Sequence, residues 1–299
     1  MTNPAQNRWL VYLKERFPVI PNLIVAAGIT FSALALTKNF ASYTGTVRPH
    51  ETATILLALL GGMLFLAQMR FMDELKDVEK DKIAHPERPL PRGLFTKQEF
   101  SKFIIICQSL MVAFAFLMVI LGNLTAGIFF GIGTFYLYLM YKEFFLGSWL
   151  GKRAILYAIT HQVIIYPLVF FVVAVFEPDA WDTPESFWLG TLILGGFFGF
   201  EVGRKLDPDA HLILNTYLRK YGRNITVAMI VIVLALSTLS GFMLNAGWIL
   251  LPFSALGVAS LSVLWFSPKK YKTAEGLVSL YLIVCIWALP IMNLIEGKK

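Results

Sequence analysis

"MDELKDVEKDKIAHPERPLPRG", Met72 to Gly93, follows directly on a run of apolar residues. Asp73, Glu74, Asp77, Glu79 and Asp81 fall within nine positions of one another. The chain around them is of the opposite character. Of its 299 residues 57% are hydrophobic and 15% charged, with a mean hydropathy of +0.66. Apolar runs of about 20 residues recur along the whole length, which reads as a polytopic helical membrane protein. A single run of that length also suits a buried core helix; the repetition does not.

The expected fold is all-α, one transmembrane domain over residues 1–299 with nine spans in one bundle. The spans fall at 18–36, 51–70, 101–121, 124–141, 154–176, 186–203, 225–243, 247–266 and 274–295. With a cytoplasmic N-terminus, the loops at 71–100, 142–153, 204–224 and 267–273 are cytoplasmic too. All Lys and Arg except Lys38, Arg48, Lys298 and Lys299 then lie on that side, and the opposite loop "EPDAWDTPE" has none. This asymmetry sets the orientation by the positive-inside rule and accounts for the net charge of +7 without nucleic acid. The polar opening "MTNPAQNRWLVYLKERFP" has no signal-peptide pattern. Cys107 and Cys285 sit in apolar runs and read as packing residues, not a disulfide framework. The two long charged loops follow spans two and six, four helices apart, which predicts a repeated four-helix unit with both loops on one face.

The acidic run therefore lies at the cytoplasmic end of span two. If the helix continues through it at 100° per residue, Asp73, Glu74, Asp77 and Asp81 fall within an arc of roughly 100°, with Lys76, Glu79 and Lys82 outside. Four carboxylates on one face repel one another unless a cation sits among them. Hard oxygen ligands suit Mg²⁺, which takes one or two carboxylates, waters and the phosphate oxygens of a ligand. The competing reading is a solvated acidic loop. "HPERPLPRG" then adds a Pro-punctuated turn carrying Arg88 and Arg92, and Arg is well shaped for phosphate.

Acidic helix face, spacer and "RPLPRG" together resemble the signature of the UbiA superfamily of intramembrane prenyltransferases, Asn-Asp-x-x-Asp-x-x-x-Asp followed by Arg-Pro-x-x-x-Gly. Asp73 stands at the Asn position, and Glu74, Asp77 and Asp81 follow in register. The resemblance implies a Mg²⁺-dependent prenyltransferase whose donor is an isoprenyl diphosphate, with the diphosphate on the metal and the tail inside the bundle. Ionisation of the allylic carbon–oxygen bond leaves a carbocation for an acceptor to capture. The acceptor stays open among an aromatic ring, a glycerophosphate-type lipid precursor and a phosphosugar.

The family's second motif is an Asp-rich helix end after span six, and here the stretch reads "FEVGRKLDPD". Glu201 takes the first carboxylate position, but Lys205 stands where a second carboxylate is usual, with Arg204 before it. The stretch resembles a divergent branch with Glu-x-x-Arg-Lys at this point. Asp73, Asp77, Glu201 and Lys205 are the expected catalytic set. Lys205 reads either as a fixed cation beside the diphosphate or as half of a helix-end ion pair with Glu201.

Further expected diphosphate contacts are Arg88, Arg204, Lys205, Lys152 and Arg153, with Tyr138 and Lys142, whose spacing in "YLMYK" resembles the family's Tyr-x-x-x-Lys. Positive-inside anchoring explains the same three loop cations, Lys142, Lys152 and Arg153. "TYLRKYG" offers Tyr217, Arg219 and Lys220 as a lid or as lipid-interface residues. Asn22, His161 and Gln162 are polar groups in spans and mark a possible acceptor region; interhelical hydrogen bonding is the alternative, as for Gln68 and Gln108. Arg16 resembles a family position near the donor. Two rival functions stand beside prenyl transfer: a terpene cyclase of the same fold, and a cation or metabolite transporter with an acidic vestibule.

Overall fold

The computed structural model of the protein describes the backbone of residues 7–44 and 51–296, and side chains of residues 7–38 and 51–296. Arg48, Lys298 and Lys299, used in the orientation argument, lie outside the described residues. The described elements are all helical. A short α1 (Arg8–Arg16) precedes α2 (Val19–Thr44), α3 (Glu51–Ala84), α4 (Lys97–Ile120) and α5 (Leu124–Tyr141). Then come α6 (Gly147–Leu150), α7 (Ala154–Gln162), α8 (Ile165–Phe176) and α9 (Pro184–Gly203). The chain ends with α10 (Tyr217–Met243), α11 (Gly247–Ser260), α12 (Val263–Phe266) and α13 (Tyr271–Glu296). Among the described residues nine segments are long and apolar enough to cross a membrane.

Local chemistry sets several boundaries. α4 opens on a capping box in which Thr96 accepts from the Glu99 amide and Glu99 accepts from the Thr96 amide. Thr183 caps α9 just before Pro184, a residue suited to the first helical turn. Span five, Ala154–Phe176, is interrupted at Val163 and Ile164, which keep helical φ and ψ, because Pro167 has no amide to offer the Val163 carbonyl. α10 begins eight residues earlier than its apolar run, at Tyr217, and changes direction at Gly222, where φ is +77°. α3 has 34 residues, about 51 Å of helix, against a hydrocarbon core of about 30 Å. Its last turns must therefore leave the apolar layer, and those turns carry the acidic run.

The packing repeats. α3 packs on α4 and α8, α4 on α5, and α5 on α8; four spans later α9 packs on α10 and α13, α10 on α11, and α11 on α13. α2 lies at the seam and touches α3, α8, α9 and α13. The turn Leu212–Leu214, after the sixth span, packs on α3. The ends of the second and sixth spans are thus brought together, as the repeat predicts. One close approach needs glycine: a Cβ on Gly133 of α5 would run into the Phe65 ring of α3.

Candidate active site

α3 brings Asp73, Asp77, Lys76 and Arg70 to a cavity of about 320 Å³ at one end of the bundle. α7 adds Tyr157, His161 and Gln162; α9 and the residues after it add Glu201, Arg204 and Lys205; α10 adds Tyr217. Asn22 of α2 completes the polar rim, its amide donating to the Pro18 carbonyl at 2.8 Å. The remainder of the wall is apolar, with Phe65, Met69, Leu168, Phe197 and Phe200 prominent. One end of the cavity suits a polyanion, the other a hydrocarbon.

The charges are organised in two groups. On the α9 side, Arg204 Nε donates to Glu201 Oε2 at 2.7 Å, and the Lys205 ammonium pairs with Glu201 Oε1. Arg204 gains from this: the Glu201 carboxylate holds its guanidinium even more firmly protonated. The Lys205 ammonium also lies 5.1 Å from the Tyr217 ring centre. On the α3 side, Lys76 Nζ donates to the Tyr157 hydroxyl at 2.7 Å, and Asp77 pairs with Lys80 at 3.5 Å. The Tyr157 ring stacks on His161, with centroids 3.9 Å apart. His161 Nδ1 lies 2.8 Å from the Tyr157 carbonyl, which can only accept, so the proton is on Nδ1 and Nε2 is the free acceptor. That Nε2 is buried without a hydrogen-bond partner.

The single face of four carboxylates is divided. Taking Asp73 as origin, Asp77 lies at about 40° and Lys76 at about −60°, while Asp81 and Glu74 lie at about 80° and 100°. Asp73 and Asp77 line the cavity; Glu74 and Asp81 are buried outside it. Their flank of α3 is covered by an apolar cluster of Tyr12, Phe17, Leu90, Phe95 and Phe100 around Val78. Carboxylates buried there need counterions. Glu74 pairs with Arg16 and, at 3.8 Å, with Arg70; Asp81 pairs with Arg88 at 2.6 Å. Arg88 is thereby turned away from the cavity, and Arg92 pairs with Glu15 at 2.8 Å. Glu79 points outward to Lys82 and Lys97.

The remaining expected diphosphate contacts are dispersed. Tyr138 and Lys142 line a separate groove on the flank of the bundle. Arg153 lies 4.1 Å from the Trp149 ring centre, and the Lys152 carbonyl accepts from Lys220 at 2.9 Å. Neither Lys152 nor Arg153 lines the cavity. Gln68 donates to Gln108 at 2.8 Å, an interhelical bond between α3 and α4. Arg70 and Tyr157 line the cavity without standing out in the sequence, and Lys76, expected outside the carboxylate face, lines it too. Lys76 and Arg70 had a signal, since both flank Asp73 on a helical wheel. Tyr157 had none, because its helix follows a loop whose path the sequence does not reveal.

Among the described residues no three His, Cys, Asp or Glu side chains converge as a ready-made metal cage. Mg²⁺ does not require one, since it retains waters and takes phosphate oxygens beside one or two carboxylates. Asp73 and Asp77, one turn apart on the wall, meet that need. Glu201, already holding Arg204 and Lys205, does not fit a second cation.

The sequence matches the model of the UbiA prenyltransferase family over residues 29–286. No curated protein sequence matches the chain. Two solved structures share its fold. One, from work on digeranylgeranylglyceryl phosphate synthase in membranes, is 18% identical with a TM-score of 0.60, covering 94% of this chain and 99% of its own. The other, the apo structure of a UbiA homolog from Aeropyrum pernix K1, is 15% identical with a TM-score of 0.63, covering 92% and 98%.

Proposed function

Because the chain belongs to the UbiA prenyltransferase family, we propose that it moves an isoprenyl group from a prenyl diphosphate to an acceptor within the bilayer. The observation that carries this reading is one cavity with two ends: Arg70, Lys76, Arg204 and Lys205 interleaved with Asp73 and Asp77, then a wall of aromatic and aliphatic side chains. A diphosphate needs the first and an isoprenyl tail the second.

Asp73 and Asp77 are the residues that would hold Mg²⁺. The ion supplies Lewis-acid stabilisation of the departing diphosphate. The chain's own part is larger. Arg204 and Lys205, fixed by Glu201, and Lys76, fixed by Tyr157, are cations whose geometry is set before the donor arrives. Fixed charge aimed at a leaving group lowers the barrier without reorganisation cost. Phe197, Phe200 and Leu168 exclude water from the carbocation, so that the acceptor captures it first. His161 Nε2 is the group that takes the proton released on capture. The rim and its Lys/Arg-rich loops face the cytoplasm, in agreement with the charge asymmetry of the loops.

The test is incubation of purified protein with labelled prenyl diphosphates, Mg²⁺ and a membrane extract, followed by lipid analysis. A labelled lipid that depends on donor, Mg²⁺ and extract is expected. Label appearing only in a cyclised hydrocarbon made from donor alone would replace transfer by cyclisation. Donor-independent ion flux in proteoliposomes would point to transport instead.

A further inference from the structure

We propose that the groove between the outer faces of α4 and α5 is a binding site for an anionic glycerophospholipid of the leaflet on the Lys/Arg-rich side. The groove is separate from the active-site cavity: α3 and α5 stand between them, with Asp73 and Met140 facing the cavity and their neighbours Met72 and Tyr141 facing the groove. Its volume is about 730 Å³. It runs along α4 from Ser101 to Phe116, about 22 Å at the helical rise and more than one leaflet's half of a hydrocarbon core of about 30 Å. Ile105, Val112 and Phe116 form its wall, each substantially exposed on the lipid-facing side. An extended acyl chain fits those dimensions.

The polar end decides which lipid. α4 and α5 are antiparallel and joined by a short turn, so Lys142, just past the end of α5, stands level with the start of α4 and Ser101. Among the described residues Lys142 is the one charged side chain lining the groove, and no Asp or Glu lines it. Its ammonium sits 5.9 Å and 5.2 Å from the ring centres of Tyr138 and Tyr141, which fix it over the groove's mouth. Glu143, its chain neighbour, is carried away by three consecutive left-handed residues, Glu143, Phe144 and Phe145, with φ of 49°, 54° and 57°. That conformation is costly for residues with a Cβ. Its effect is to direct the Glu143 carboxylate toward the Tyr157 hydroxyl at 3.5 Å, leaving the Lys142 charge uncompensated. By contrast Arg16, Arg88, Arg92, Arg204 and Lys205 are all paired with carboxylates. A lipid phosphate at Lys142 and Ser101, with an acyl chain over Ile105, Val112 and Phe116, satisfies both ends at once.

The experiment is native mass spectrometry of the purified full chain with phosphatidylglycerol and phosphatidylcholine of identical acyl chains. The parent is expected to retain phosphatidylglycerol about fivefold better, the effect of one lysine near a lipid phosphate. Lys142→Ala should bring the two lipids to parity, while Lys272→Ala, an exposed cation elsewhere on that side, should not. Val112→Trp should reduce retention of both. Lys142→Ala is a truncation at an exposed site, so it tests the idea even where Val112→Trp perturbs folding. Equal retention by the parent, a preference that survives Lys142→Ala, or equal losses from Lys142→Ala and Lys272→Ala would overturn the proposal. Displacement of the lipid by millimolar glycerol phosphate would also overturn it, by showing a soluble-phosphate site.

Discussion

Lys76 on α3 donates to the Tyr157 hydroxyl on α7 at 2.7 Å, and this bond ties the acidic helix to the fifth span at the edge of the polar cavity. It also means that Lys76 is aimed by a neighbour. Tyr157→Phe keeps the ring and its stack on His161 but releases the ammonium. Donor affinity should fall about fivefold, the worth of one hydrogen bond of about 1 kcal/mol, with little change in melting temperature. Lys76→Ala should cost more affinity, since the charge itself is lost. Isothermal titration with a non-hydrolysable prenyl diphosphate analogue reads both. Identical affinities in parent and Tyr157→Phe would mean that Lys76 does not meet the diphosphate.

Asp77→Asn should fold normally, because the residue lies at the solvated end of the cavity, and should lose the Mg²⁺-dependent part of donor binding. Glu79→Gln, paired outside with Lys82 and Lys97, should bind the donor as the parent does. Donor titrations with and without chelator compare the two, and equal losses would undo the assignment of faces on α3.

The opposite behaviour is expected of the carboxylates on the other flank. Glu74→Ala leaves Arg16 without its partner beside the N-terminal aromatic cluster, and Arg88→Ala leaves Asp81 buried and uncompensated. Breaking a buried pair costs about 3–5 kcal/mol. Both variants should melt earlier in detergent, while donor affinity of the folded fraction stays within about twofold, the scatter of a surface substitution. A stable Arg88→Ala with weakened donor binding would return Arg88 to the diphosphate.

Lys205→Ala should reduce turnover more than donor affinity, because negative charge grows on the leaving group during ionisation. Lys205→Asp should recover part of the loss at high Mg²⁺, by giving Glu201 a carboxylate one turn away and a place for a cation. Mg²⁺ titrations of turnover for the parent and both variants separate these effects. Parent-like turnover in Lys205→Ala would leave the residue as a structural partner of Glu201.

Gly133→Ala is a test of the fold rather than of the chemistry. The added methyl meets the Phe65 ring where α5 crosses α3, and overpacking of this kind costs about 1–3 kcal/mol. The companion variant Gly131→Ala, with open space around its Cβ, should melt like the parent.

Much of this protein was legible in one dimension. Span number and helix class follow from the length of apolar runs, because the bilayer imposes the same requirement on every segment regardless of its neighbours. The acidic end of α3 and the Glu201–Lys205 stretch were visible for the same reason: charge at the end of an apolar run is conspicuous. What a helical wheel could not do was divide the acidic face. Asp73 and Glu74 are adjacent in sequence, yet one lines the cavity and the other is buried against Arg16. That separation depends on α1 and the Arg88 turn folding onto one flank of α3, as in the Arg16–Glu74 pair, 58 positions apart in the chain. The assembly of Lys76 with Tyr157, and the removal of Lys142 to an outer groove, are decided in the same way, by which helices become neighbours. Periodicity assigns a side chain to a face of its own helix; only packing decides what that face meets.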